Sequence, residues 1–186
     1  MQITPLAIAD VYLIKPKRFA DARGYFSETY RRDILADAGI KSEFVQDNES
    51  LSIAAGTVRG LHFQAPPFAQ AKLVRVMAGA VMDVAVDLRS GAPTFGQFVA
   101  APLTAESGEQ MFIPEGFAHG FCCLADHTVL AYKVSAPYSS AHDFGVLWND
   151  PDLAIPWPVA EAVLSDKDAA LPRLIDISSP FEYGST

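Results

Sequence analysis

The chain has 186 residues, half of them apolar, and a formal net charge of −8 at pH 7. This size and apolar content suffice for one substantial core, so we expect a single domain over residues 1–186. The acidic balance and the lack of a basic run argue against a nucleic-acid groove. No apolar run approaches the roughly 20 residues that span a bilayer, and the N-terminus has no secretory-signal pattern.

The two cysteines, Cys122 and Cys123, are adjacent. Neighbouring Cα atoms lie about 3.8 Å apart, which is closer than ordinary disulfide geometry prefers. We therefore interpret both as reduced core thiols, as expected of a cytoplasmic protein.

The first part of the chain predicts strands around one short helix. In chain order these are a strand at Asp10–Lys15, a turn at Asp21–Gly24, a strand at Tyr25–Tyr30, a helix at Arg31–Ala38 that stops at Gly39, and a strand at Lys41–Asp47.

From Thr57 to Val134 the sequence predicts closely spaced short strands separated by glycine and proline turns. They are Thr57–Gln64, Ala71–Met77, Met82–Leu88, Gly96–Leu103, Gln110–Pro114, Gly120–Leu124 and His127–Val134. There is no room for the crossover helices of a parallel sheet, so an all-β sandwich or barrel is indicated. Loops with large aromatic residues follow, then a short helix at Ser165–Ala170.

The segment Arg59–Gln64 is the first candidate for chemistry. Strand alternation places Gly60, His62 and Gln64 on one face, which could line a cavity, and makes His62 a candidate base. A structural histidine is the alternative. A metal site is disfavoured, because Gln64 stands where a second histidine would be and no His-x-His occurs.

Other candidates are open to two interpretations. Lys72 shares a strand face with Val74 and Val76, which fits either a polar cavity or a solvated strand end. Tyr132 could be a general acid or a packing residue. His119, between glycines, could bind an anion or fix a loop, while Arg23 and Arg59 are the strongest anion candidates.

Several motifs, in order along the chain, resemble those of the dTDP-4-dehydrorhamnose 3,5-epimerase family. They lie between about Asp10 and Asp168 and comprise Asp21–Gly24, Phe44–Asn48, Arg59–Gln64, Asp83–Arg89, Pro93–Gly96, Ile113–Phe121 and Trp148–Pro151. The resemblance implies an all-β fold, a cupin-type double-stranded β-helix (jelly roll) with short peripheral helices, an N-terminal strand arm and a C-terminal loop and helix extension. It also implies a homodimer in which strands cross between subunits.

The resemblance further implies cofactor-free epimerisation at C3 and C5 of dTDP-4-dehydro-6-deoxy-D-glucose, giving dTDP-4-dehydro-L-rhamnose on the pathway to dTDP-L-rhamnose. By position, it implies His62 as base, Tyr132 as acid, Asp168 as the partner of the histidine and Lys72 as the cation near the sugar. The implied substrate contacts are Arg23, Phe26, Glu28, Gln46, Asp47, Asn48, Glu49, Arg59, His119, Tyr138, Asp143 and Lys167, with Tyr138 stacking on thymine.

Two positions depart from the usual family pattern. Ser135–Tyr138 lacks the paired tyrosines that many members carry before position 138, and Asp143 stands where many have glutamate. The alternatives to a 3,5-epimerase are an epimerase acting at one carbon, a non-catalytic sugar-nucleotide binding module and a metal-dependent cupin enzyme. The presence of both His62 and Tyr132 argues against the binding module, since binding alone needs no opposed acid and base.

Overall fold

The computed structural model describes residues 1–184, so the last two residues of the predicted domain lie outside it. The strands are β1 (Gln2–Pro5), β2 (Tyr12–Lys15), β3 (Arg18–Asp21), β4 (Gly24–Ser27), β5 (Gln46–Ser52), β6 (Val58–Gln64), β7 (Lys72–Ala78), β8 (Ala80–Asp87), β9 (Phe98–Thr104), β10 (Gln110–Ile113), β11 (Phe117–Cys123), β12 (Thr128–Val134) and β13 (Asp143–Gly145). The helices are α1 (Arg32–Asp37) and α2 (Asp166–Ala169), with 3₁₀ turns at Ser140–His142 and Leu174–Asp176.

Two antiparallel sheets form the body of the fold. The six-stranded sheet has the order β1-β2-β10-β7-β12-β5, and the five-stranded sheet has the order β13-β6-β11-β8-β9. The β3–β4 hairpin forms a separate two-stranded sheet. This antiparallel sandwich with short helices confirms the all-β, jelly-roll prediction.

Apolar side chains fill three layers. The central layer lies between the sheets and includes Val74, Leu103 and Phe121. A second layer, with Leu61 and Val84, is covered by the C-terminal segment, and a third, around Leu35 of α1, covers the other side of the six-stranded sheet. Because the five-stranded sheet is covered on both faces, every residue of β11 is buried. Among the described residues no helix is long and apolar enough to span a membrane.

Several predicted strand boundaries were wrong; the strand predicted at Gly120–Leu124, for example, is β11 and begins at Phe117. The strand predicted at Lys41–Asp47 begins only at Gln46, because Phe44 leaves the sheet edge and packs against Tyr30 at a ring separation of 5.8 Å. The strand predicted at Tyr25–Tyr30 ends at Ser27, since Tyr30 belongs to that same packing layer. Tyr30 and Phe44, one from each of these two predicted segments, therefore pack beside α1 instead of extending a strand.

Strand β8 alternates between two faces, and both are buried. Val84 and Val86 face the second layer, while Asp83 and Asp87 on the opposite face are fully buried carboxylates. The cysteine prediction is confirmed, since Cys122 and Cys123 are buried free thiols. Burial raises the pKa of the Cys122 thiol to about 11.

Candidate active site

A polar cleft opens between the two sheets. It lies beside β5, the edge strand of the six-stranded sheet, and β6, which is next to the edge strand β13 of the five-stranded sheet. Its outer chamber has a volume of about 430 Å³ and its inner chamber about 240 Å³. The two chambers share the side chains of His62, Lys72, Tyr132 and Lys167, so they adjoin. The apolar central layer stops at this end, which leaves polar side chains from both sheets facing each other.

An irregularity in the β6–β11 pairing shapes the inner chamber. Regular alternation would put Arg59 and His62 on opposite faces, yet both line this chamber. The register shifts between His119 and Phe121 of β11, and Gly60 has a φ of +117°. A Cβ on Gly60 would lie 2.6 Å from the Cα of Gly120, so only two glycines can approach this closely. This local irregularity in the pairing allows Arg59 and His62 to line one chamber despite their opposite positions in a regular strand.

His62 is held by a buried carboxylate from α2. Its Nε2 lies 2.6 Å from Asp168 Oδ1, and Asp168 is 3% exposed. Ser165 Oγ caps α2 by accepting from the Asp168 N–H at 3.1 Å, which fixes the carboxylate in place.

The protonation of this pair follows from the environment of Asp168. Burial alone would raise the pKa of Asp168, but the hydrogen bond from His62 and the His62 charge outweigh it and hold the pKa below the ordinary value. An ionised Asp168 accepts from Nε2–H, so in the neutral imidazole Nδ1 carries the lone pair. His62 therefore has the features of an oriented base.

Lys72 and Tyr132 face this pair from the opposite sheet. Lys72 lies on β7, is 8% exposed and donates from Nζ to the His62 carbonyl at 3.5 Å. Burial lowers the pKa of Lys72 to about 8, against the opposing effect of the Asp143 and Asp83 carboxylates. Burial raises the pKa of Tyr132, so its phenol keeps its proton at neutral pH.

A second histidine–carboxylate pair lies next to the first. His119 is opposite His62 in the β6–β11 register, and its Nε2 lies 2.7 Å from Asp83 Oδ1. Burial lowers the pKa of His119, although the Asp83 carboxylate opposes this. His119 lines the inner chamber, while Asp83 lies behind it.

Hydrogen bonds link the groups at the mouth of the cleft. Asp143 Oδ2 accepts from Lys167 Nζ at 2.6 Å and from the Tyr138 hydroxyl at 3.2 Å. Gln46 Oε1 accepts from the Tyr138 N–H at 3.2 Å, and Gln46 Nε2 donates to Asn48 at 2.7 Å. The Tyr138 ring is 61% exposed, so one of its faces is open to a ligand.

The remaining predicted contacts lie elsewhere on this chain. Arg23, Phe26 and Glu28 lie on or beside the β3–β4 hairpin, are exposed and line neither chamber. Strand alternation in β5 turns Gln46 and Asn48 into the cleft and exposes Asp47 and Glu49 on the other side of the sheet, where Asp47 pairs with Lys133 at 2.8 Å. The cleft thus brings together eleven of the predicted residues: Gln46, Asn48, Arg59, His62, Lys72, His119, Tyr132, Tyr138, Asp143, Lys167 and Asp168.

Some cleft residues were not predicted as site residues. Gln64 and Gln70 line the outer chamber, and Ser50 and Phe121 line the inner one. Gln64 could have been included, because it shares the His62 face of β6 and holds the Tyr138 loop by accepting from the Ser139 N–H at 2.8 Å. Across residues 1–184 no group of three or more histidine, cysteine or acidic side chains is arranged to hold a metal ion.

The chain matches known proteins over nearly its whole length. The family model described as dTDP-4-dehydrorhamnose 3,5-epimerase matches residues 5–176. The dTDP-4-dehydrorhamnose 3,5-epimerase of Sinorhizobium fredii is 53% identical over 188 aligned positions, covering 98% of this chain and 94% of the relative.

Two solved structures are close in shape as well as in sequence. The dTDP-6-deoxy-D-glucose-3,5-epimerase of Legionella pneumophila, solved with dTDP-4-keto-L-rhamnose, has a TM-score of 0.94 and 43% identity, covering 99% of both chains. The dTDP-4-dehydrorhamnose 3,5-epimerase of Bacillus anthracis, solved with TDP and pyrophosphate, has a TM-score of 0.90 and 51% identity, covering 92% of this chain and 98% of that one. Together with the family model and the cleft geometry, these matches show that the chain belongs to the dTDP-4-dehydrorhamnose 3,5-epimerase family.

Proposed function

We propose that the protein is an isomerase that inverts C3 and C5 of dTDP-4-dehydro-6-deoxy-D-glucose to give dTDP-4-dehydro-L-rhamnose. The observation that carries this proposal is the opposition of His62 and Tyr132 across the cleft, within a chain of this family. His62 lies on β6 of one sheet and Tyr132 on β12 of the other. A sugar ring held between them has a base on one face and an acid on the other.

The proposed chemistry begins with the C4 ketone, which acidifies the hydrogens on C3 and C5. His62 removes one proton through Nδ1, and Asp168 stabilises the resulting imidazolium through Nε2. The Lys72 ammonium stabilises the enolate oxygen electrostatically. Tyr132 then delivers a proton from the opposite face, which inverts the carbon. None of these steps uses a cofactor.

Proton NMR of dTDP-4-dehydro-6-deoxyglucose in deuterated water tests this function. We expect solvent deuterium at both C3 and C5 and formation of the L-configured sugar. Exchange at one carbon would indicate a single-carbon epimerase, and binding without exchange would indicate a binding module. Activity that is lost on chelation and restored by a metal ion would contradict the cofactor-free scheme.

We assign the thymine base to the mouth of the cleft and the diphosphate to the side that Arg59 lines. Tyr138 is proposed to stack on thymine, supported by its exposed ring, and Arg59 to bind the diphosphate. The Arg59 guanidinium is held by Ser52 Oγ at 3.1 Å and by the Leu51 carbonyl at 3.0 Å, and it lines the inner chamber. An acidic protein can bind an anion here because Arg59, Lys72 and Lys167 converge on the cleft.

Arg59→Ala is expected to weaken dTDP binding more than it slows the chemical step. Loss of a charge-assisted hydrogen bond costs on the order of 1.5–3 kcal/mol, and calorimetric titration of dTDP measures this loss directly. Arg32→Ala is a matched control, because Arg32 is an exposed arginine paired with Glu43, away from the cleft. An unchanged dissociation constant for Arg59→Ala would contradict the diphosphate assignment.

We further propose that the active form is a homodimer in which the β3–β4 hairpin of one subunit reaches the cleft of the other. Arg23 at the hairpin tip has a side chain that is 90% exposed and pairs with Asp21 of its own turn. Phe26 is 67% exposed, and Leu51 and Met77 on the six-stranded sheet are exposed as well. A second copy would cover these apolar side chains and bring the hairpin residues to substrate.

Mixing Arg23→Ala with His62→Ala subunits is expected to restore activity that neither variant has alone. In a mixed dimer, one cleft combines an intact His62 with an intact hairpin, so a random mixture should reach about one quarter of wild-type activity. The control mixture is Asp168→Asn with His62→Ala, because these two residues contact each other within one chain and no intact cleft can form. Absence of recovery in the first mixture would place Arg23 outside the partner's cleft or show that the chains do not pair.

A further inference from the structure

The carboxylate of Asp83 has no part in the steps proposed above, yet it lies fully buried behind the cleft. Its Oδ1 accepts from His119, and its Oδ2 has no hydrogen-bond partner within residues 1–184. Burial of a charged group is costly unless other charges or hydrogen bonds compensate for it. One hydrogen bond to a buried imidazole leaves Oδ2 of this carboxylate without a partner among the described residues, and the field of a nearby cation would offset part of the cost of burying the charge.

Lys72 is the buried cation of this region. Among residues 1–184 its ammonium makes one long hydrogen bond, to the His62 carbonyl, and it is almost wholly removed from solvent. Desolvation therefore favours the neutral amine, which could not stabilise an enolate. The carboxylates that oppose this effect are those of Asp143 and Asp83.

These two carboxylates differ in their hydrogen-bond partners. Asp143 lies at the mouth and is bonded to Lys167 and to the Tyr138 hydroxyl, both of which are proposed to contact substrate. Asp83 lies on the wall behind His119 and keeps one oxygen without a hydrogen-bond partner in the described chain. Its negative charge is thus the one that substrate binding leaves in place.

We propose that Asp83 is a positioning residue for the epimerisation, whose fixed buried charge keeps the Lys72 ammonium protonated and holds His119 with Nδ1 free of a proton. The second effect follows because an ionised Asp83 accepts from Nε2–H of His119. This inference rests on the proposed function, because Lys72 must be charged only if it stabilises the enolate of the proposed epimerisation.

Other charged and titratable groups face Lys72 from the surrounding strands and α2. Those of the five-stranded sheet are Arg59 and His62 on β6, His119 on β11 and Asp143 on β13. Tyr132 on β12 and the α2 residues Lys167 and Asp168 complete the set. Asp83→Asn changes none of these residues and keeps an oxygen that can accept from His119, so a shift in Lys72 titration can be attributed to the lost charge.

Asp83→Asn tests the proposal, because asparagine keeps the shape and can still accept from His119 but carries no charge. The ¹³Cε resonance of Lys72, assigned by its disappearance in Lys72→Arg, reports the protonation of the amine without any need for activity. The wild-type midpoint is expected near pH 8. In Asp83→Asn it should fall by about one pH unit or more, as for loss of a nearby opposite charge.

Activity provides the second measurement. The pH dependence of kcat/KM reports the free enzyme, so its alkaline limb should follow the Lys72 midpoint and move to lower pH in Asp83→Asn. Above the wild-type midpoint, a shift of one unit lowers kcat/KM about tenfold. Asp83→Glu, which retains the charge, should restore the limb toward its wild-type position.

Asp87→Asn is the matched control. Asp87 lies four residues further along β8, on the same face and fully buried, but it bonds to Arg89 and Thr94 away from the cleft. This variant should lose thermal stability without moving the Lys72 midpoint. An equal shift in both variants would contradict a specific role for Asp83.

Each remaining outcome also decides the question. An unchanged Lys72 midpoint in folded Asp83→Asn would overturn the proposal. If that variant does not fold, Asp83→Ser removes the charge with a smaller side chain, and a wild-type Lys72 midpoint far below neutrality would by itself contradict the proposal. A shifted midpoint with an unshifted activity limb would support the electrostatic role of Asp83 while contradicting the proposed role of Lys72.

Discussion

His62→Ala is expected to lower turnover by about 10²–10⁴-fold or more, because the imidazole is the proposed base for both inversions. Binding of dTDP should persist, since the groups proposed to hold the nucleotide have other partners in the protein. Arg59 is held by Ser52, and Tyr138 by Asp143. Steady-state kinetics and calorimetric titration on the same preparation measure the two effects.

His127→Asn is a suitable control for this variant. His127 is an exposed histidine between β11 and β12 with a φ of 52°, a conformation that asparagine tolerates. It lines neither chamber, so its activity should match the wild type. Near-native turnover of His62→Ala would show that another group removes the proton.

Tyr132→Phe is expected to separate proton removal from inversion. The ring still packs against the central layer, so the fold should be retained. His62 should continue to exchange substrate hydrogen with solvent deuterium, whereas the inverted product should fall by about 10²-fold or more because the donor on that face is lost. Deuterium uptake and product stereochemistry, followed together by NMR, measure both quantities.

Tyr12→Phe controls for the loss of a tyrosine hydroxyl elsewhere. Tyr12 packs beside Phe112 at a ring separation of 6.3 Å, outside the cleft. Equal loss of exchange and inversion in Tyr132→Phe would indicate enolate or ground-state stabilisation instead of proton donation. Full retention of both would make Tyr132 a packing residue.

The strands with apolar alternation were predictable from sequence, whereas the position of β5, the edge strand beside the cleft, was predicted wrongly. Strand β6 and strand β12 match the predicted Thr57–Gln64 and His127–Val134 within one residue at each end. Strand β5 was predicted too early because its residues, Gln46 to Ser52, are polar on both faces except for the exposed Leu51. A strand that lines a polar cavity on one side and is exposed on the other has no hydrophobic periodicity to detect.

Residues of the candidate site were predictable where polar side chains of suitable chemistry lie on the same face of a strand. His62 and Gln64 share a face of β6, and both line the outer chamber. Individual residues in consecutive runs were less predictable, because the resemblance marked all of Gln46 to Glu49 while the pleat of β5 turns only alternate residues inward. Asp83 received no role at all, although a charged residue within the otherwise apolar β8 is a signal for a buried ion pair.

The pairing of His62 with Asp168 joins residues that are 106 positions apart. A ribosome adds about 5–20 residues per second, so the strands that carry the histidine emerge several seconds before the carboxylate is made. The barrel can begin to pair its strands in that interval, but the imidazole gains its orienting partner only when α2 docks. A chain that ends prematurely before α2 would therefore retain His62 on β6 but lack both its orienting carboxylate and Lys167 of the cleft wall, so it would present no oriented base to the keto sugar.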